Sequence, residues 1–117
     1  TPDGSCIREY INVVDLARAH VIAVERMISP SSHSDSLETF NIGTGRGVSV
    51  LELINTFEEV TGVKVPHRIV ERREGDIEQV WANPQKANEV LGWCAKETLA
   101  DTLKSAWAWQ QHLQSKA

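Results

Sequence analysis

The spacing of apolar residues along the chain predicts three amphipathic helices. The first is capped by Asp15 and runs to about Ile28. The second opens with a capping box at residues 49–52 and ends at Gly62, a residue suited to a left-handed cap. The last opens with a similar motif at residues 98–101. Apolar positions of the first helix recur three or four residues apart: Val13, Ala17, Val21, Val24 and Ile28.

Between these helices the pattern predicts short strands and one further helix. Residues 6–13, 39–42 and 65–70 are rich in β-forming side chains, which predicts three strands. A short helix is expected from the Asn-Pro pair at 83–84 to a closing glycine at 92. The polar residues 29–38 predict a surface loop. The fold class is therefore α/β, mostly helical, with too few strands for an independent doubly wound sheet.

Composition narrows the possible partners. The 117 residues are 41% hydrophobic and 24% charged, as in an ordinary globular domain, so residues 1–117 are expected to form one unit. A formal net charge of −4 argues against nucleic acid as the main partner. No apolar run is long enough to span a bilayer, so no membrane partner is expected. Residues 1–5 form a turn-like start without methionine, which predicts a segment of a longer protein.

Cysteine and histidine usage predicts no metal centre. Cys6 and Cys94 are read as reduced thiols of a cytoplasmic protein, with a single disulfide between them as the alternative. The four histidines show no ligand spacing with one another or with cysteine.

Residues 68–76 carry the clearest candidate chemistry. They contain Arg68, Arg72 and Arg73, followed by a Gly-Asp turn that ends in Asp76. Because guanidinium groups bind two oxygens at once, paired arginines suit a diphosphate or a carboxylate. Asp76 is placed to accept hydrogen bonds from neutral hydroxyls such as those of a ribose. The alternative is a solvated, charged loop without a ligand.

The glycines Gly43, Gly45 and Gly47 precede the second predicted helix. Such a loop invites a phosphate-binding interpretation, since helix N-termini attract anions. However, a dinucleotide fingerprint, G-x-G-x-x-G, needs a glycine at position 48, where this chain has valine. The Gly-Lys-Ser/Thr sequence of a P-loop is also absent. We therefore interpret it as a turn that lets backbone segments pack closely.

Four blocks together resemble one family. The chain is similar to UDP-glucose 4-epimerases, which are extended short-chain dehydrogenase/reductases, in blocks that follow the family's order and spacing over practically all 117 residues. The blocks are DGSCIREYINVVDLARAH (3–20), NIGTGRGVSVLE (41–52), RREGD (72–76) and KANEVLGW (86–93).

The resemblance implies that this chain is the C-terminal, UDP-sugar-binding portion of such an enzyme. By motif position, Arg8 and Arg73 would bind the diphosphate, Asp76 the ribose, and Tyr10 would line the nucleotide pocket. The family interconverts UDP-glucose and UDP-galactose through a C4 keto intermediate, with NAD held by an N-terminal Rossmann domain. The Tyr-x-x-x-Lys pair is absent from these residues, because Tyr10 is the only tyrosine and Val14 lies four residues after it. No dinucleotide fingerprint is present either, so the Rossmann domain is expected to lie outside this chain. The chain alone is expected to bind no NAD and to be inactive.

Further implications concern specificity and assembly. Val80 falls where the family varies between a bulky aromatic and a small residue, and a small residue there is associated with room for an N-acetyl group. The parent enzyme is therefore expected to accept UDP-N-acetyl sugars as well as UDP-glucose. At two positions the chain departs from the family pattern: Glu9 replaces the usual Asp, and Asn12 replaces the usual His. The resemblance also implies that the parent enzyme is a homodimer. The isolated chain is expected to self-associate through apolar surface that the missing domain would cover. The alternatives are another nucleotide-sugar epimerase, dehydratase or decarboxylase of the superfamily, or a non-catalytic binding module.

Overall fold

The computed structural model describes residues 1–29 and 37–116, and within them the chain is mostly helical with one two-stranded sheet. This confirms the predicted fold class. Most of the predicted loop at residues 29–38 lies outside the described residues. In the described part of the chain, no helix combines the length and apolar character needed to cross a membrane. The elements are β1 Ile7–Arg8, α1 Val13–Ile28, β2 Val48–Ser49, α2 Val50–Thr61, a π-helical segment Ala87–Leu91, and α3 Leu99–Ser115.

Local capping signals predicted two helix starts correctly. Ser49 Oγ accepts a hydrogen bond from the Glu52 amide (3.1 Å), and Thr98 Oγ1 accepts one from the Asp101 amide (3.1 Å). Gly62 ends α2 in the left-handed conformation, with φ of 71°. These arrangements depend on residues three or four positions apart, so the sequence alone determines them.

The predicted cap of α1 was wrong. Asn12 caps this helix, because its side-chain oxygen accepts a hydrogen bond from the Val14 amide (2.8 Å). Asp15 is instead fully buried in the first turn. Its carboxylate accepts hydrogen bonds from the amides of Lys96 (3.1 Å) and Glu97 (3.0 Å), which tie α1 to the segment that leads into α3.

The strand predictions were largely wrong. The strand expected at residues 6–13 shortens to Ile7–Arg8, and residues 39–42 and 65–70 form no strand. A strand needs a hydrogen-bonded neighbour, which β-propensity does not supply. The neighbour of β1 is the unpredicted β2, which pairs with it antiparallel over two residue pairs.

The core is small and centred on Trp93. This side chain is 2% exposed, and its indole nitrogen donates to the Asp15 carbonyl (2.9 Å). Ala19 and Ala87 complete the buried cluster, which partly buried apolar side chains surround: Ile11, Ile22, Phe40, Ile42, Leu91 and Ala95. Phe40 and Ile42 thus contribute to the core without forming the strand that was expected of them.

Candidate functional site

The strand β1 lies between two backbone segments and determines which residues meet. Antiparallel β2 pairs with one edge. On its other side, the Ile7 amide donates to the Glu78 carbonyl (2.9 Å) and the Val80 amide donates to the Ile7 carbonyl (3.1 Å). These two hydrogen bonds hold residues 78–80 against β1. The turn that precedes them, which carries Asp76, is therefore brought beside Arg8.

Arg8 and Arg73 converge on one carboxylate. Arg8 Nη2 lies 3.2 Å from Asp76 Oδ1, and Arg73 Nη2 lies 3.4 Å from the same oxygen. Arg73 Nε also donates to Asp76 Oδ2 (3.4 Å). The side chain of Arg73 is 84% exposed, whereas that of Asp76 is 18% exposed. Arg8 and Arg73 are 65 positions apart in the sequence, yet both guanidinium groups contact the same carboxylate, that of Asp76.

The charge on Asp76 is stabilised by these neighbours. Hydrogen bonding from Arg73 lowers the pKa of the Asp76 carboxyl most strongly, and the positive charges of Arg73 and Arg8 lower it further. The Cys6 thiol, 3.8 Å from Oδ2, contributes in the same direction. Burial acts in the opposite direction but does not outweigh the arginines. At neutral pH Asp76 is therefore an ionised counter-ion for both guanidinium groups.

These residues face an open cavity of about 540 Å³. This volume is within the usual range for small-molecule sites, roughly 300–1,000 Å³. The walls come from the N-terminal turn and β1, the first turns of α2, and residues 67–73. Its charged lining is mixed: Arg8, Arg68, Arg72, Arg73, Glu71, Asp76 and Glu78.

The other two predicted site residues lie outside this cavity. Tyr10 and Val80 are not among its described lining residues. Val80 remains close, because its amide is hydrogen-bonded to β1. Sequence reasoning also missed Cys6 as a member of the site. Since side chains two apart on a strand share a face, its position two residues before Arg8 was a usable signal.

Arg72 supports the turn. Its Nη2 donates to the Asp76 carbonyl (2.6 Å), and its Nη1 lies 3.6 Å from Glu78 Oε1. It therefore ties the turn at Asp76 to Glu78, the first residue of the segment that contacts β1.

The glycine loop packs closely, as predicted. A Cβ atom added at Gly47 would lie 2.6 Å from the Trp81 ring, and one at Gly43 would collide with the Glu9 carboxylate. The amides of Thr44 and Gly45 donate to that carboxylate, so they do not form an empty phosphate site. Within the described residues, no cluster of three or more His, Cys, Asp or Glu side chains is arranged to hold a metal ion.

Comparison with known proteins identifies the relatives of this chain. No protein-family model matches it. It is 48% identical over 111 residues to UDP-glucose 4-epimerase of Yersinia enterocolitica, covering 95% of this chain and 31% of that enzyme. It is 46% identical over 110 residues to UDP-glucose 4-epimerase of Bacillus subtilis, covering 94% and 31%. This chain matches the C-terminal third of UDP-glucose 4-epimerases. It therefore spans about a third of the length of the curated relatives it matches.

Solved structures agree with this match. The UDP-glucose 4-epimerase of Stenotrophomonas maltophila, with bound NAD and formylated UDP-arabinopyranose, superposes with a TM-score of 0.90 at 45% identity. The match covers 100% of this chain and 34% of that one. The Bifidobacterium longum enzyme, in complex with NAD+ and UDP, gives a TM-score of 0.84 at 40% identity, covering 96% and 32%. The predicted resemblance to UDP-glucose 4-epimerases is confirmed.

Proposed function

We propose that this chain is the UDP-sugar-binding part of a UDP-glucose 4-epimerase, in which Arg8 and Arg73 bind the diphosphate. The observation that supports this most strongly is the convergence of both guanidinium groups on Asp76, at the edge of one cavity. The two arginines come from separate segments, and both segments are anchored to β1 or belong to it.

Binding would proceed by exchange of acceptors. The diphosphate carries roughly two negative charges, and each charge-assisted hydrogen bond contributes about 1.5–3 kcal/mol net. Diphosphate oxygens would replace the Asp76 carboxylate as partners of the guanidinium groups. Asp76 would then accept hydrogen bonds from the ribose hydroxyls, while Tyr10 would line the nucleotide pocket nearby.

The residues of this chain do not fit NAD. In the glycine loop, the amides of Thr44 and Gly45 donate to Glu9. The first three amides of α2, those of residues 50–52, donate to the Cys6 carbonyl, Ser5 Oγ and Ser49 Oγ. We therefore propose that NAD and the catalytic Tyr-x-x-x-Lys pair belong to an N-terminal Rossmann domain of the parent enzyme. The parent would act in galactose metabolism in the cytoplasm, the setting that the resemblance implies.

A hybrid enzyme tests the proposed function. In this hybrid, the chain replaces the matched segment of the Yersinia enterocolitica relative. The hybrid should convert UDP-galactose to UDP-glucose, whereas the 117-residue chain mixed with NAD and UDP-galactose should form no UDP-glucose. A folded hybrid that binds NAD but shows no affinity for UDP would contradict the proposal.

The shape of the chain supports a missing neighbour. Its radius of gyration is 17.7 Å, whereas about 13 Å is expected for a compact domain of this length. The apolar stripe predicted on α1 is also exposed: Val13 is 74% exposed, and Val21, Val24 and Ile28 are exposed as well. We propose that the N-terminal domain covers this surface in the parent, which would be a homodimer.

Without that neighbour, the isolated chain should self-associate. Replacing Val24 with glutamate puts a charge in the exposed stripe and should shift the chain towards monomer in sedimentation velocity. Asn55→Glu, which adds the same charge at an exposed polar position on α2, is the control. Equal distributions for wild type and Val24→Glu would contradict this expectation.

We also propose that Val80 leaves room for an N-acetyl sugar. In the hybrid, Val80→Tyr should reduce turnover of UDP-N-acetylgalactosamine more than turnover of UDP-galactose, because the larger ring would fill the space that the acetyl group needs. The ratio of the two kcat/KM values measures this effect. An unchanged ratio would contradict the proposal that Val80 determines specificity for the N-acetyl group.

A further inference from the structure

Glu9 occupies the glycine loop with its own carboxylate. One oxygen, Oε2, accepts hydrogen bonds from the amides of Thr44 (3.0 Å) and Gly45 (3.0 Å), and Thr44 Oγ1 lies 3.4 Å away. Gly45 has φ of 76°, and Gly43 lies so close to the carboxylate that a methyl group would collide with it. Successive amides that point at one anion form a backbone anion nest. The loop therefore binds an internal ligand, the side chain of Glu9.

This contact is made by the residue next to Arg8, which is predicted to bind the diphosphate. Glu9 follows Arg8, whose Nη1 donates to the Ile7 carbonyl (2.8 Å) and whose Nη2 meets Asp76. Adjacent side chains thus contact different parts of the molecule, as expected for an extended backbone. Glu9 binds the loop, while Arg8 lines the cavity.

Backbone pairing on the two sides of β1 involves Ile7 and Arg8 with β2, and Ile7 with residues 78–80, so it does not extend to Glu9. The ladder between β1 and β2 is only two residue pairs long, and a short two-stranded pairing is marginally stable in water. The glycine loop leads directly into β2 at Val48, so the contact from Glu9 closes the end of the same ladder. Two charge-assisted hydrogen bonds at that point fix the backbone that follows Arg8.

We infer that Glu9 is a positioning residue for Arg8, and that its contact with the glycine loop holds the guanidinium group where the diphosphate binds. This inference rests on the proposed function. It assigns to the glycine loop a role in diphosphate affinity that needs no direct contact with the ligand.

The test compares UDP with uridine, which lacks the diphosphate. Glu9→Ala should lower the affinity for UDP about tenfold, because a displaced Arg8 guanidinium group loses much of its contribution to binding. The affinity for uridine should stay unchanged. Glu9→Asp restores the charge and should recover most of the affinity. Gly43→Ala perturbs the same contact from the loop side and should act like Glu9→Ala. Affinities are measured by titration of the 117-residue chain and as competitive inhibition constants of the hybrid.

A double-mutant cycle separates positioning from general support. In an Arg8→Ala background, Glu9→Ala should have almost no further effect on UDP affinity, because the group it positions is gone. Equal losses of UDP and uridine affinity, or full additivity with Arg8→Ala, would show a merely structural role and overturn the inference. If Arg8→Ala weakens UDP but neither Glu9→Ala nor Gly43→Ala does, the inference fails while the proposed function stands. If the wild-type chain and the hybrid do not bind UDP, both fail.

Discussion

Replacing Arg73 with alanine is expected to raise the Kd for UDP by about 10- to 150-fold. This range corresponds to the loss of one charge-assisted interaction, roughly 1.5–3 kcal/mol. Arg73 is exposed, and its contact with Asp76 is a surface ion pair, which contributes little to stability. Asp76 also keeps its contact with Arg8. The substitution should therefore reduce affinity without lowering the free energy of unfolding.

Two further variants sharpen this prediction. Arg46→Ala removes an exposed arginine that pairs with Glu52 and does not line the cavity, so it should leave the Kd for UDP unchanged. Arg73→Lys keeps the charge but loses the planar fork, so its Kd should fall between those of the wild type and Arg73→Ala. Calorimetric titration of the hybrid with UDP measures all three. Equal Kd values for Arg73→Ala and Arg46→Ala would refute the role proposed for Arg73.

Replacing Trp93 with alanine is expected to lower the free energy of unfolding by about 3–5 kcal/mol. Trp93 is the largest fully buried side chain of the described residues, and it packs against Ala19 and Ala87. Its removal leaves a cavity and deletes the hydrogen bond to the Asp15 carbonyl. Domains have only about 5–15 kcal/mol of total stability, so the variant should unfold at a much lower denaturant concentration.

Trp109 provides the matched control. It is 60% exposed on α3, so Trp109→Ala should change the free energy of unfolding by no more than about 0.5 kcal/mol. Urea unfolding followed by far-ultraviolet circular dichroism measures both variants. Similar midpoints for the two would mean that the cluster around Trp93 is not the core of this chain.

The sequence determined local features better than long-range ones. The caps at Ser49 and Thr98 were predictable because donor and acceptor are three residues apart. The strand expected at residues 65–70 did not form, because pairing depends on a partner that local composition does not specify. The apolar stripe of α1 marked a helix correctly, but its spacing alone did not indicate that this face would be exposed; that expectation came from the family resemblance.

The candidate site shows the same division. Arginine chemistry at residues 68–76 was visible in the sequence, but its connection to Arg8 came from the family resemblance alone. The physical reason for that connection is the position of β1 between β2 and residues 78–80, a long-range arrangement. The contact of Glu9 with the glycine loop joins residues 35 and 36 positions apart, so local sequence patterns gave no sign of it.

A crystal structure of the hybrid with UDP measures the shared diphosphate contact most directly. We expect guanidinium nitrogens of both Arg8 and Arg73 within about 3.2 Å of diphosphate oxygens, with Asp76 released to the ribose. A diphosphate bound by neither arginine, or by Arg73 while Arg8 stays paired with Asp76, would contradict the proposal that the two side chains form one binding site.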